Sequence, residues 1–425
     1  MDENLKELSK TIKRNILNSK GEKTKMIYFS SGCLLLDLVL GGKKGVFGVP
    51  AGRFINFVGD KSAGKTFLSN EFLANAYHKN PKKFHWMYDD CESGYSFDTD
   101  ELYGVNLTDE KHLIHSKTVE DAFCNISEFA EKLKKDEFGI YVLDSLDGLT
   151  SAEQEDRAKE RIKAHKENKK YDKGTYGMGK QKYLSQEFCP QLSDLCEDKN
   201  VLVIIVSQIR EKIDAFSFDK YSRSGGKAID FYAHSVLWLA GGKKIKKKDR
   251  AIGVSVKAKT TKSKTPRPYR DCWFTLIYDY GLDDIGSCID FLFDLRTDTG
   301  DLAKTAKMIL WKEGKEKLTL KSAKAFLEEN ELTDEYEDSK YFDGKADLSS
   351  IGEFIASKKD YIKLFSEKFG EVMNRDDLIS YIEENDLVDE LHERTVEKWE
   401  MIEEEIKTKR KKKYATIPKV KEVKD

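Results

Sequence analysis

Residues 59–66 read Gly59, Asp60, Lys61, Ser62, Ala63, Gly64, Lys65, Thr66, a G-x-x-x-x-G-K-T pattern. This spacing suits a loop that wraps a polyphosphate. The two glycines let the backbone turn tightly, so that its N–H groups converge on phosphate oxygens. A helix starting near Lys65 would present its positive end to the same anion. Lys65 can neutralise charge on the β- and γ-phosphates, and the Thr66 hydroxyl can ligate Mg²⁺. All eight residues are therefore candidate nucleotide ligands, with ATP and Mg²⁺ as cofactors. The bland alternative is a chance glycine turn. A strand pattern at 54–58 just before the loop and a helix pattern from Phe67 just after it argue against that.

Three further polar groups stand where apolar runs end. Asp144 closes the run 139–143, where an acid can hold the Mg²⁺ shell through water; capping the next helix is its structural alternative. Asp89, Asp90 and Glu92 follow the run 84–88. Hydrolysis needs a carboxylate to polarise the attacking water. Glu92 is the leading candidate, because ligands bind at the carboxyl ends of strands in open α/β sheets, although position alone does not separate it from Asp89 or Asp90. Gln208 follows the run 201–206, where a neutral amide can sense the γ-phosphate and report its loss to the next loop.

The elements that must position these groups follow from patterning. The chain has 425 residues, of which 39% are hydrophobic and 35% charged, with a net charge of −2. That length suggests two or three domains. The balanced charge means that net charge alone predicts no nucleic-acid partner. The short runs 54–58, 84–88, 139–143, 201–206 and 235–239 are rich in β-branched or aromatic residues and alternate with helical patterns. They predict an α/β fold with a mostly parallel central sheet. Patterns at 253–257 and 272–278 predict a terminal hairpin. Residues 1–26 read as a short helix with Leu5, Leu8, Ile12 and Ile16 near one face, an oligomerisation segment. Residues 27–285 form the core, 286–406 a small, mainly helical domain, and 407–425 a basic tail. Seven cysteines without a C-x-x-C pair read as reduced, separately buried thiols. With no run approaching the roughly 20 apolar residues of a membrane span and no signal-peptide core, a cytoplasmic protein without membrane partners is expected.

An ordered set of motifs over roughly residues 28–285 resembles the RecA-type recombinases of bacteria and their phages. The set comprises Ser30 to Asp37 (SSGCLLLD) with Leu40-Gly41-Gly42, then Pro50 to Arg53 leading into the phosphate loop. It continues through Asp90-Cys91-Glu92, Gly104-Val105, Leu143-Asp144-Ser145, Ser207 to Arg210 (SQIR), Gly225-Gly226 and Phe231-Tyr232-Ala233. The phosphate loop alone means only nucleotide binding; the collinear set is specific. The resemblance implies a RecA-like P-loop core and a DNA-dependent ATPase. It also implies helical filaments on single-stranded DNA that pair with double-stranded DNA and exchange strands, with accessory mediator proteins as further partners. Glu92 matches the family's catalytic glutamate, Gln208 its γ-phosphate switch and Asp144 its second-motif acid. Lys262 and Lys264 match two lysines that reach a neighbouring subunit's ATP. Physically, they would be a cation finger that stabilises γ-phosphate charge only after assembly. A solvated lysine turn is the alternative.

Two loops in such proteins line the DNA. The second, from Glu211 to about Lys227, carries Lys220, Arg223 and Lys227 beside Gly225 and Gly226, with Arg210 just before it. Glycines allow close approach to phosphates, and Phe216 and Phe218 either insert between bases or pack under the loop. The first loop, between Ser151 and Lys182, is long and rich in cations, among them Arg157, Arg161, Lys169 and Lys170, and it ends near Met178-Gly179. It tracks phosphates, unless it is simply a solvated helix. The chain departs from the family at Ser96 and Thr99, where an acid and a tyrosine usually hold adenine, which leaves Tyr95 and Phe97 as candidates. It departs again at Asp230, which replaces a lysine, and in its basic tail. A ring-shaped replicative helicase on the same fold and an ATP-binding scaffold filament are the competing classes.

Overall fold

The computed structural model describes residues 27–41, 46–169, 179–211, 221–223, 226–265, 267–296 and 309–410. The segment 1–26, the tail beyond 410, and Lys170, Met178, Lys220 and Gly225 lie outside the described residues, as do Phe216 and Phe218. A two-stranded antiparallel pair, β1 (Tyr28–Phe29) with β2 (Val49–Pro50), precedes the main sheet. That sheet has ten strands. They are β3 (Arg53–Gly59), β4 (Phe84–Asp90), β5 (Leu113–Ile114), β6 (Phe138–Asp144), β7 (Val201–Glu211), β8 (Tyr221–Arg223), β9 (Ser235–Lys247), β10 (Arg250–Ser263), β11 (Asp271–Ile277) and β12 (Gly281–Asp283). The order is β12-β11-β10-β9-β3-β7-β6-β4-β5, with β8 paired to β7. Pairing is parallel from β5 through β9 and antiparallel from β9 to β12. The fold is α/β with a mostly parallel sheet and a helical C-terminal region, as the sequence pattern predicts.

The central strands are near-continuous apolar runs because both faces are covered. Along β3, Ile55 and Phe57 face one core with Leu68, Phe72, Ile140 and Ile204. Phe54 and Val58 face the other, with Tyr141, Val203, Ile205 and Phe188. Burying a side chain such as Phe57 or Phe72 is worth about 1.5–3 kcal/mol, so these two layers fix the strand order. Register then sets the site. Asp90 pairs with Asp144 across β4 and β6, and Gly59 with Gln208 across β3 and β7, so four carboxyl ends lie side by side.

The expected hairpin of 253–257 with 272–278 is present as the antiparallel pair β10–β11, and β9 and β10 are longer than their patterns suggest. β9 runs on to Lys247 and β10 begins at Arg250, forming a lysine-rich ribbon with irregular register. Its outer half shows no apolar alternation because pairing across the ribbon satisfies the backbone while the lysines stay solvated. All seven cysteines are free and five are buried.

Among the described residues, the stretch expected as one helical domain divides by its contacts. Phe326, Tyr336, Phe354, Phe365 and Phe369 form a separate core. Leu378, Ile382 and Leu391 instead join the core under the main sheet. The helix Val388–Glu405 is tied there by His392, whose Nε2 lies 2.6 Å from Asp284 Oδ2. With Cys288, these residues have the composition of a zinc ligand set. Two ligands of one tetrahedral zinc would sit about 3.3 Å apart, given bonds of about 2.0–2.1 Å, so the 2.6 Å pair is a hydrogen-bonded ion pair.

The hydrogen bond to Asp284 raises the His392 pKa above its ordinary value, against the opposing effect of burial. Its stabilisation is therefore full below about pH 6.5, the unfolded value, and is lost as pH rises through the raised folded value. We expect His392→Ala to lower the thermal midpoint at acidic pH, with the deficit shrinking toward alkaline pH. A deficit independent of pH in melting curves would contradict this.

Candidate nucleotide site and nucleic-acid interface

The loop after β3 turns where glycine is required. Gly64 has φ 84°, and a Cβ there would meet Leu276 Cδ1 at 2.5 Å. A Cβ on Gly59 would lie 2.6 Å from the Leu239 carbonyl oxygen. The helix Lys65–Lys79 begins without a side-chain cap, so its first N–H groups remain directed at the loop. Lys65 Nζ donates to the carbonyls of Gly59 at 2.9 Å and Asp60 at 2.8 Å, which holds the ammonium against the loop. Burial lowers its pKa, while Asp144 and Asp60 pull the other way.

Asp144, at the end of β6, meets this loop. Its Oδ2 accepts from Thr66 Oγ1 at 2.6 Å and from the Tyr88 hydroxyl at 2.7 Å. Burial raises the Asp144 pKa and the two donors lower it, leaving a net rise. A hydroxyl and a carboxylate side by side form a hard oxygen pair of the kind Mg²⁺ takes.

The three acids after β4 separate clearly in space. Asp89 is fully buried, accepting from Ser116 N at 2.8 Å and Ser116 Oγ at 2.6 Å, and from the Tyr141 hydroxyl at 2.8 Å. Asp90 accepts from Glu92 N at 3.2 Å and Tyr95 N at 3.0 Å, which shapes the turn. Glu92 alone is exposed. Its Oε1 accepts from Ser145 Oγ and, at 2.8 Å, from Gln208 Nε2. Gln208 N in turn donates to Asp147 Oδ2 at 2.7 Å. Lys65, Thr66, Glu92, Asp144 and Gln208 are thus brought to one edge of the sheet. At the departures from the family pattern, Thr99 turns inward to accept from Leu107 N at 2.9 Å. Tyr95 packs edge-on against Tyr88, and Phe97 against Phe67.

The nucleic-acid candidates are spread more widely. Arg157 and Arg161 lie on the helix Ala152–Lys166, which has a Ser151–Gln154 capping box and no buried residue. Arg157 pairs with Glu153 one turn away. Lys169 pairs with Glu167 at 2.8 Å, and Gly179 opens the helix Gly179–Tyr183. Arg210 sits on β7 opposite Ser222 of β8. Arg223 differs from the expectation of a surface cation: its side chain is 6% exposed and bonded to Asn56 Oδ1 and Asp230. Buried Asn56 receives the guanidinium from inside, and exposed Asp230 pairs with it from the surface. Gly226 opens the helix Gly226–Tyr232, and Lys227 on it is exposed.

Lys262 lies on β10 and donates from Nζ to the carbonyls of Phe231, at 2.8 Å, and Ala233. Burial pushes its ammonium down to about 8, helped by neighbouring Lys264. Lys264 is exposed.

Sequence reading missed several supports. Tyr88 and Asp147 orient the site. Lys180, expected among the first loop's cations, instead anchors the base of that loop, donating to the carbonyls of Leu146 at 2.7 Å and Leu149 at 2.6 Å. Asn56 bridges to Ile205 O at 2.8 Å and Ser207 Oγ at 2.9 Å. An asparagine inside the apolar run of β3 was the one available signal.

Comparison with known proteins agrees with this geometry. The RecA N-terminal domain family matches residues 1–283. The chain is similar to Protein RecA of Campylobacter jejuni subsp. jejuni (strain 81-176), 29% identical over 339 residues, covering 79% of this chain and 90% of that protein. It is also similar to Protein RecA of Syntrophus aciditrophicus, 29% identical over 276 residues, covering 65% and 72%. Protein RecA of Cereibacter sphaeroides (strain ATCC 17023) is 29% identical over 302 residues, covering 71% and 79%. The chain belongs to the RecA family of recombinases.

Proposed function

We propose that this recombinase is a DNA-dependent ATPase that forms helical filaments on single-stranded DNA and uses them for homologous pairing and strand exchange. One observation carries the catalytic half of this reading: the Glu92 carboxylate is held by Ser145 and Gln208 beside the Thr66–Asp144 pair. The residues fit the cofactors. Gly59 and Gly64 let the loop pack against Leu239 and Leu276, where a Cβ would clash, and the oxygen pair suits a hard cation. Mg²⁺, when bound, supplies charge neutralisation on the phosphates.

The chain's own residues do the rest. Lys65 and the free N–H groups of helix Lys65–Lys79 receive the anion. Glu92 Oε1 is committed to Ser145 and Gln208, which fixes the carboxylate plane and leaves Oε2 to take a proton from the attacking water. Gln208 can exchange its bond to Glu92 for one to a γ-phosphate oxygen. That exchange would pull on β7 and on the loop after it, which is the proposed link between nucleotide and DNA. Lys264, and Lys262 once released from its carbonyls, would complete the neighbouring protomer's site. Arg157, Arg161, Lys169, Gly179, Arg210, Gly226 and Lys227, with Lys170, Met178, Lys220 and Gly225, are the proposed DNA contacts. Arg223 enters this reading as the anchor of the second loop.

Electron microscopy with single-stranded DNA and a non-hydrolysable ATP analogue should show helical filaments; closed rings would overturn the reading. In a phosphate-release assay, Glu92→Gln should lower the DNA-stimulated rate by about 10²-fold or more while nucleotide binding persists. An unchanged rate would remove Glu92 from its role. For Gln208→Ala we expect the basal rate to survive while stimulation by DNA is lost. Full stimulation in that variant would place the switch elsewhere.

A further inference from the structure

Of the two lysines proposed to reach a neighbouring protomer, Lys262 lies at the end of β10 and Lys264 opens the turn between β10 and β11. Among the described residues, local backbone bonds hold the two ends of that turn. Lys264 N donates to His234 O at 2.8 Å, and Thr265 N to Ser263 Oγ at 3.1 Å. At the far end, Thr260 N donates to Arg270 O at 2.9 Å. Between them, two arginines converge on one carboxylate, Glu403, in the last turn of the helix Val388–Glu405. Arg270 engages it with two parallel bonds, Nε to Oε1 at 2.9 Å and Nη2 to Oε2 at 2.9 Å. Arg267 Nη1 reaches Oε2 and, at 2.9 Å, the backbone carbonyl of Glu403.

The cluster is sheltered: Arg267, Arg270 and Glu403 are 32%, 11% and 17% exposed. Arg270 also lies over the Trp399 ring, which packs against Phe291. A planar guanidinium on a carboxylate fixes orientation as well as distance. Two of them hold the turn on either side of Tyr269, whose φ of 70° is left-handed. The helix supplying Glu403 is itself pinned. Lys398 Nζ donates to the carbonyls of Phe291 at 2.9 Å and Leu292 at 3.0 Å, and Arg394 Nη1 to Trp311 O at 2.6 Å.

We infer that Glu403 is a positioning residue for the turn that follows Lys262 and bears Lys264, so that the C-terminal helix of one protomer sets the geometry of ATP cleavage in the next. The inference rests on the proposed trans role of those lysines. Freed of Glu403, the turn would sample many shapes, and the Lys264 ammonium would spend less time where γ-phosphate charge develops. The phosphate loop and Glu92 lie on other elements and remain intact.

The test uses full-length protein with single-stranded DNA and ATP. Glu403→Ala should lower kcat about 10- to 100-fold with KM for ATP and filament appearance near wild type, and Glu403→Asp should recover part of the loss. Mixed filaments separate positioning from general damage. Glu403→Ala brings an intact nucleotide site, and Glu92→Gln an intact turn. Joints that place the second protomer's turn on the first protomer's site should be active. In a random head-to-tail copolymer these are about a quarter of all joints, so the mixture should hydrolyse faster than either variant alone. A Lys262→Ala, Lys264→Ala double variant with the wild-type rate would overturn the trans reading and this inference together. If the double variant is inactive, the inference alone falls on either of two results: Glu403→Ala matching wild type, or mixtures no faster than their components.

Discussion

A site built to receive a polyphosphate must hold its own carboxylates without repelling the ligand. Asp89, Asp90, Glu92, Asp144 and Asp147 all lie near the carboxyl edge of the sheet. Two unit charges 4 Å apart interact by about 4 kcal/mol at the effective dielectric typical near a protein surface, so uncommitted acids there would exclude a triphosphate. The structure commits each acid to donors: Asp89 to Ser116 and Tyr141, Asp90 to two backbone N–H groups, Asp144 to Thr66 and Tyr88, Glu92 to Ser145 and Gln208, and Asp147 to the Gln208 N–H. Among the described residues, the phosphate loop itself carries two cations, Lys61 and Lys65. Lys65 stands against the loop, while Lys262 and Lys264 sit on the far side of β9 and β3 in the sheet order. Set against the acids, this placement is the physical reason a second protomer's lysines would matter.

Much of this arrangement was legible in the sequence, because covalent and steric rules act locally there. The phosphate loop needs its glycines wherever it occurs, and buried parallel strands must be apolar throughout, so strand ends and their polar residues could be placed. The choice among Asp89, Asp90 and Glu92 was not legible from spacing. Asp89 is set apart by Ser116 and Tyr141, which lie far along the chain and occupy it. Arg223 escaped for the same reason. A basic residue in a basic loop reads as a surface cation, and only Asn56 and Asp230 show that it turns inward. The lysine ribbon of β9 and β10 carried no apolar period, because its pairing is satisfied by backbone alone.

The same contacts supply a route between sites. Asn56 touches Ser207, one residue before Gln208, and also holds Arg223 at the edge of the second loop. Lys262 caps carbonyls at the end of the helix Gly226–Tyr232, which continues from that loop. In the proposed mechanism, a change at Gln208 would act on neighbours already bonded to the loop and, through the helix Gly226–Tyr232, to Lys262. Rigid, fully bonded elements of this kind transmit small displacements because they have few alternative arrangements.

The C-terminal helices extend that logic. Asp290, 1% exposed, is bonded to Arg296 at 2.7 Å and to Arg375 at 2.6 Å, and Arg375 also approaches Asp283. Replacing a buried ion network with apolar groups is often neutral or stabilising, whereas removing one partner costs about 3–5 kcal/mol. Such a network is thus a poor source of net stability and a strict source of orientation. Apolar packing of Leu378, Ile382 and Leu391 would allow these helices to slide against the core. The charges oppose it, because a slipped register would take Arg375 from Asp283 and Asp290 and leave Asp290 with Arg296 alone. Together with Lys398 and Arg394, they hold the helix Val388–Glu405 to a single register, and that register brings the Glu403 carboxylate to Arg267 and Arg270.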